Sequence, residues 1–163
     1  SKWEFLKWQY SLNHLGKEIH MCMEGYCSAY IYWYLKRFYG LMGDTDKRSP
    51  TSEGEITKNG YIMAHYAQYA TETTRIKAVI NNEEVCATAY WDEKTGEVTI
   101  VLLNLNGASQ WLEIPLAGIK KASAVETNET KNMEVIDTGL MESAEGITVL
   151  LSANSITSVR LIF

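Results

Sequence analysis

Residues 27–35, Cys-Ser-Ala-Tyr-Ile-Tyr-Trp-Tyr-Leu, are apolar on both faces of an extended chain. Ala29, Ile31 and Trp33 share one face, and Tyr30, Tyr32 and Tyr34 share the other. A run this short and this rich in β-formers reads as a strand. A strand that is apolar on both faces must be covered on both, as in the parallel sheet of an α/β protein. The flanking sequence offers helices for that cover. Trp8, Leu12, Leu15, Ile19 and Met23 recur at helical spacing and predict a helix over roughly residues 5–23, ending near Gly25. Residues 41–56 form a polar loop with Gly43, Pro50 and Gly54, and Thr57 is positioned as an N-cap. Gly60, Met63, Ala64, Ala67 and Ala70 then line a narrow helix face that can approach a sheet closely. Gly60 costs that helix roughly 1 kcal/mol relative to Ala, so close approach is expected there.

From Arg75 onward the period changes from that of a helix to that of strands. Strands are predicted near 75–80, 85–91, 97–104, 109–114, 121–126, 133–137, 147–151 and 156–163, with Asp92-Glu93-Lys94-Thr95-Gly96 as a hairpin turn. Eight short strands with turn signals between them suggest a sandwich. Trp91 and Trp111 are assigned to its core. A single strand of parallel type cannot make a sheet alone, so residues 27–35 are expected to pair with a part of the protein outside this chain or with another partner.

The chemistry is expected where that strand ends, because parallel strands deliver their C-terminal ends to the ligand-binding face. Lys36-Arg37-Phe38-Tyr39-Gly40 lies there. Arg37 offers a planar fork suited to a carboxylate, Tyr39 adds a hydroxyl, and Trp33 offers a flat apolar face for a sugar ring. Other classes of function are disfavoured. A net charge of −5 with no basic stripe argues against a surface that tracks nucleic-acid phosphates. No apolar run approaches the roughly 20 residues that a membrane helix needs. Cys22, Cys27 and Cys86 lack metal-ligand spacing and do not cluster with His14, His20 or His65, so neither a metal nor a cofactor is expected. Buried free thiols are favoured over a Cys22–Cys27 bridge. Asp44 and Asp46 read as solvated loop residues, since Arg48 and Pro50 break a calcium-loop pattern. The sequon Asn128-Glu129-Thr130 is too common a pattern to weigh much. Ser1-Lys2-Trp3-Glu4 runs directly into helical sequence without signal-peptide anatomy, which reads as a mature or cut chain.

The stretch EIHMCMEGYCSAYIYWYLKRFYG, followed by GEITKNGYIMAHYAQY, resembles the C-terminal part of glycoside hydrolase family 30, glucuronoxylanase branch. CATAYWDEKTGEVTIVLLNLN and the closing SANSITSVRLIF extend the resemblance over nearly the whole chain. It is strong over residues 18–70 and rests on strand rhythm alone through 105–150. The resemblance implies an α+β fragment: residues 1–73 as the last helix–strand–helix of a (β/α)8 barrel, and 74–163 as an antiparallel β-sandwich side domain. It implies retaining cleavage of β-1,4-xylan by two glutamates. It also implies a substrate-binding role for three residues, with Arg37 and Tyr39 gripping a glucuronate carboxylate and Trp33 serving as the sugar platform. Both family glutamates lie upstream of the matching region. Glu4, Glu18 and Glu24 are not assigned to those roles, so no catalytic residue is identified and the chain alone is expected to be inactive. Phe38 stands where relatives often carry a small hydroxyl residue, and the loop 41–55 is longer than usual.

The leading expectation is therefore the C-terminal portion of an extracellular xylan-degrading hydrolase. The alternative is a non-catalytic module that binds xylan or a related plant-wall glycan. A third reading is a structural remnant with no ligand. The expected partner is glucuronoxylan or xylan, with no nucleic acid and no membrane. The exposed edge of an isolated barrel piece is expected to drive self-association or association with the missing barrel part.

Overall fold

The computed structural model describes residues 3–137, 140–143 and 145–163. The apolar stripe of the N-terminal region winds into one nearly continuous helical rod. It comprises a 3₁₀ turn, Glu4–Leu6, then α1, Trp8–Ser11, a π-helical turn, Leu12–Gly16, and α2, Lys17–Glu24. Helix α3 spans Lys58–Ala67, with Thr57 as its N-cap accepting a hydrogen bond from the Gly60 amide. Nine strands follow among the described residues: β1 Thr74–Ile76, β2 Val85–Trp91, β3 Val98–Asn104, β4 Gln110–Ile114, β5 Lys121–Thr127, β6 Glu134–Val135, β7 Leu140–Ser143, β8 Gly146–Leu151 and β9 Ser155–Ile162.

These strands make two antiparallel sheets. The larger has the order β1-β2-β3-β9-β5-β6 and the smaller β4-β8-β7. Strand alternation divides the core into two layers. Ala87, Ala89, Ile100, Leu102, Val159 and Leu161 of the large sheet face Ile147, Val149 and Leu151 of the small one. On the opposite face of the large sheet, Tyr90, Val101, Leu103 and Ile156 meet Trp8, Leu12, Leu15, Ile19, Ile62 and Tyr66 from the helices. The molecule is thus α+β and dominated by antiparallel sheet, with helices on one face of the large sheet and the small sheet on the other.

Polar ties lock the helical layer to the sheet. The buried His65 ring lies between Ser158 Oγ, 2.7 Å from Nδ1, and Thr127 Oγ1, 2.9 Å from Nε2. Lys58 Nζ donates to the carbonyls of Asn128 and Lys131 and to Asn132 Oδ1 at 2.5–2.9 Å. Trp8 Nε1 donates to the Asn154 carbonyl at 2.7 Å. Asn128 of the sequon accepts from the amides of Thr130 and Lys131 and donates to the buried Glu126, so its amide group is already engaged.

Three expectations need correction. Residues 27–35 are extended but form no ladder, and the segment is open on one face: Ile31 is 91%, Trp33 71% and Leu35 65% exposed. Only Tyr30 and Tyr32, on the other face, pack against the helical core. A strand is defined by its neighbours' hydrogen bonds, and among the described residues the region makes only a bridge between Lys36 and Met42. Second, Trp91 and Trp111 are not sandwich core; they are 41% and 51% exposed. Trp111 shares its face of β4 with Glu113, while Leu112 and Ile114 point inward. Third, the thiols are not all buried: Cys27 is exposed, and Cys22 and Cys86 are partly so.

Candidate functional site

Beyond Leu35 the extended segment folds back on itself in a tight turn. Gly40 N donates to the Arg37 carbonyl at 2.8 Å, Leu41 N to that of Tyr34 at 3.2 Å, and Met42 N to that of Leu35 at 2.8 Å. A Cβ on Gly40 would sit 2.8 Å from Arg37 N and 2.9 Å from the Tyr34 carbonyl, so only glycine lets the turn close. Thr57 then fastens the turn to helix α3. Its hydroxyl donates to the Gly40 carbonyl at 2.7 Å and its amide to the Leu41 carbonyl at 3.0 Å. One buried threonine thus caps the helix and holds the turn.

Gly60 completes this junction. The close approach expected of it occurs, but to the turn and not to a sheet: a Cβ there would lie 2.3 Å from the Leu41 carbonyl oxygen. Gly60→Ala should lower the denaturation midpoint by an amount worth about 1–3 kcal/mol, because overpacking outweighs the helix-propensity gain of about 1 kcal/mol. Urea denaturation followed by circular dichroism measures it, and a raised midpoint would refute the contact.

The turn brings all three predicted site residues to one ring, that of Tyr34. Trp33 lies against it with centroids 4.1 Å apart, and Tyr39 is 6.1 Å away. The Arg37 guanidinium carbon sits 5.4 Å from the same ring centre. The Trp33–Tyr34 peptide bond is cis. Arg37 is exposed, and among the described residues it has no carboxylate in salt-bridge range. The Tyr39 carbonyl, by contrast, is tied down by Tyr32 Oη at 2.8 Å and Asn59 Nδ2 at 3.1 Å. Burial pushes the Tyr32 phenol up, which keeps it a donor to that carbonyl.

Phe38 points the other way. It is buried against Trp3, Phe5 and Tyr39, with the Arg48 guanidinium over its face at 3.7 Å. Arg48 is itself held by Asp46 in a forked ion pair that keeps the Asp46 carboxyl well below the usual range. The loop 44–50 is thereby pinned over Phe38. Acidic groups around the site have structural partners: Glu18 accepts from Tyr30 Oη at 3.1 Å, Glu53 pairs with Lys36 at 2.6 Å, and Asp46, which also senses the Arg37 charge, pairs with Arg48. No group of three or more His, Cys, Asp or Glu suited to a metal occurs among the described residues.

The geometry is that of an open, cation-bearing aromatic shelf. Such a shelf can stack a sugar ring and grip a carboxylate. Glucuronoxylanase XynC from Bacillus subtilis (strain 168) is 30% identical to this chain over 157 residues, which is 93% of the chain and 34% of the relative. The glycoside hydrolase family 30 subfamily 8 xylanase Xyn30A from Clostridium acetobutylicum superposes with a TM-score of 0.81 at 22% identity, over 97% of this chain and 40% of that one.

The chain matches the C-terminal part of a glycoside hydrolase family 30 enzyme.

A family 30 endoxylanase from Clostridium papyrosolvens C71 gives a TM-score of 0.79 at 23% identity, again over 97% of this chain and 39% of that one. At such identities the family 30 structures establish the fold alone. The chain spans about a third of the length of the curated relatives it matches. No protein-family model matches it.

Sequence reasoning missed Tyr34 as the shared ring, and it missed Thr57 and Asn59 as the groups that hold the turn. Tyr34 carries no distinguishing signal among five tyrosines in residues 26–39. The N-cap pattern did find Thr57, but a cap gives no sign of a second acceptor sixteen or more residues away.

Proposed function

We propose that this chain is the C-terminal portion of a secreted, xylan-degrading family 30 hydrolase of the retaining, glucuronoxylanase type. In this reading, residues 1–73 are the last helix–strand–helix of a (β/α)8 barrel and 74–163 its side β-sandwich. The exposed Ile31 and Leu35 are where the rest of the barrel, or a second copy, packs, leaving Trp33 to the substrate. Arg37 forks onto the carboxylate of a glucuronate branch, Tyr39 donates a hydroxyl hydrogen bond to it, and Trp33 stacks on the xylan backbone. The observation that carries the reading is the exposed Arg37 guanidinium, held beside Tyr34 with no carboxylate in salt-bridge range among the described residues. Retaining hydrolysis needs two carboxyl groups about 5–5.5 Å apart across the scissile bond. Both are assigned to the part of the enzyme upstream of this region.

A second reading, a non-catalytic xylan-binding module, is favoured by the half-exposed Trp111. It stands on the outer face of the small sheet, paired with Leu150 and one row from Glu113 and Thr148. Flat indole faces beside polar groups suit sugar stacking.

Calorimetric titration with glucuronate-branched and linear xylo-oligosaccharides separates the two. The first reading expects tighter binding of the branched ligand and no turnover of glucuronoxylan by the chain alone. Equal affinity for both ligands, abolished by Trp111→Ala, would replace it with the second. Robust turnover by the chain alone would overturn the placement of the catalytic pair.

A further inference from the structure

Helix α2 ends in a motif that brings two cysteines together. Tyr26 takes a left-handed conformation, φ 56°, directly after the C-cap Gly25. Tyr26 N donates to the Met23 carbonyl at 3.2 Å, and Cys27 N to that of Cys22 at 3.0 Å. These are the paired bonds of a Schellman ending, which commonly sets the side chain third from the helix end against the side chain just past the left-handed residue. In such endings that contact is commonly between two apolar groups. Here the two positions are Cys22 and Cys27. Beyond burial, the neighbouring Cys27 raises the Cys22 thiol, and both thiols are free. Cys27 is exposed, so an oxidant can reach it.

We propose that Cys22 and Cys27 are a disulfide-forming pair, oxidised by a low-molecular-weight disulfide. The exposed Cys27 thiolate attacks one sulfur of the small disulfide and releases its other half as a thiol. The Cys22 thiol then loses its proton, and its sulfur attacks the Cys27 sulfur, releasing the second small thiol. Two protein thiols are oxidised, one small disulfide is reduced to two thiols, and the two protein protons leave on those thiols. Burial and the neighbouring Cys27 hold the Cys22 thiol up, so its attack is the slower, second step. Cys86 stays out of the exchange. It lies partly buried on β2, where burial pushes its thiol up. The bond would fix the point at which the segment carrying Trp33 and Arg37 leaves helix α2. It does not depend on the xylan reading.

The test is alkylation followed by intact-mass and peptide mass spectrometry of the full chain, after incubation with oxidised or reduced glutathione. The unfolded, alkylated chain should take up three alkyl groups after reduced glutathione but one, on Cys86, after the oxidised form. The Cys86→Ser chain should take up two and none. Cys22→Ser and Cys27→Ser should block the internal bond. Cys27→Ser should carry no glutathione, while Cys22→Ser should hold it at Cys27 as the trapped intermediate. Three groups after oxidised glutathione, a bond involving Cys86, or glutathione retained on wild-type Cys27 would each overturn the proposal.

Discussion

Replacing Arg37 with alanine should weaken binding of a glucuronate-branched xylo-oligosaccharide about 10- to 100-fold while changing the affinity for the linear oligosaccharide by less than about twofold. The figure follows from a charge-assisted, forked hydrogen bond worth about 1.5–3 kcal/mol, with each 1.4 kcal/mol a factor of ten. The fold should not suffer, because Arg37 is exposed and its guanidinium touches only the Tyr34 ring among the described contacts. Arg37→Lys should fall between wild type and alanine, since lysine keeps the charge and loses the planar fork. The loss should shrink as salt rises, because an exposed ion pair is screened within about 10 Å at 0.1 M ionic strength. Equal losses for branched and linear ligands, or a lysine variant indistinguishable from wild type, would refute the carboxylate grip. Tyr34→Leu separates presentation from contact. It removes the ring that Trp33, Tyr39 and Arg37 share, so affinity for both ligands should drop together.

How much of this was legible depends on which force placed each group. Strand β2 was predicted at 85–91 and runs Val85–Trp91, because a hairpin turn and local alternation specify both its ends. Thr57 was legible as a cap for the same reason: the information is local. In residues 27–35, two-sided apolarity states only that cover is required, not that this chain supplies it. The same pattern is satisfied in β3, Val-Thr-Ile-Val-Leu-Leu-Asn, where helices cover one face of an antiparallel sheet and the small sheet covers the other. Trp111 could have been placed correctly, since Glu113 two residues on must share its face and a charge marks that face as solvated. Strand β7, Leu140–Ser143, was missed because four residues carry too little alternation to register. The gathering of Trp33, Arg37 and Tyr39 around Tyr34 arises from the Gly40 turn and its tether to Thr57, contacts that no periodicity encodes.

The largest effect on stability should come from acid acting on His65. Its ring is fully buried, and burial alone holds its pKa down at about 3, from an ordinary 6.5. Thr127 Oγ1 accepts from the Met133 amide at 2.9 Å, which leaves its proton for His65 Nε2. His65 Nδ1 then donates to Ser158 Oγ, the arrangement that gives each group one role. A neutral ring satisfies this network without placing a charge in the buried junction, and it is the burial that penalises the charged form. The unfolded chain binds a proton near pH 6.5, whereas the folded chain resists it until about pH 3. Folding stability is therefore full above pH 6.5 and falls as pH drops through that window, by about 1.4 kcal/mol per unit. Between pH 6.5 and 4.5 the loss comes to about 2 kcal/mol, a large share of the 5–15 kcal/mol typical of a domain. His20, also lowered chiefly by burial, pulls the same way. Asp46 and Asp92, held low by partners, begin to matter only below about pH 4.5, and Glu4 and Glu72 below about pH 5.5, so the upper half of that window reports on histidine. Urea midpoints measured at half-unit steps should decline steadily across it. His65→Gln should be less stable at pH 7.5, with a clearly flatter decline, because an amide can keep hydrogen bonds to the hydroxyls without titrating. A wild-type midpoint that stays level to pH 4.5, or a glutamine variant that falls as steeply, would show that the imidazole is not held neutral by the junction of helix and sheet.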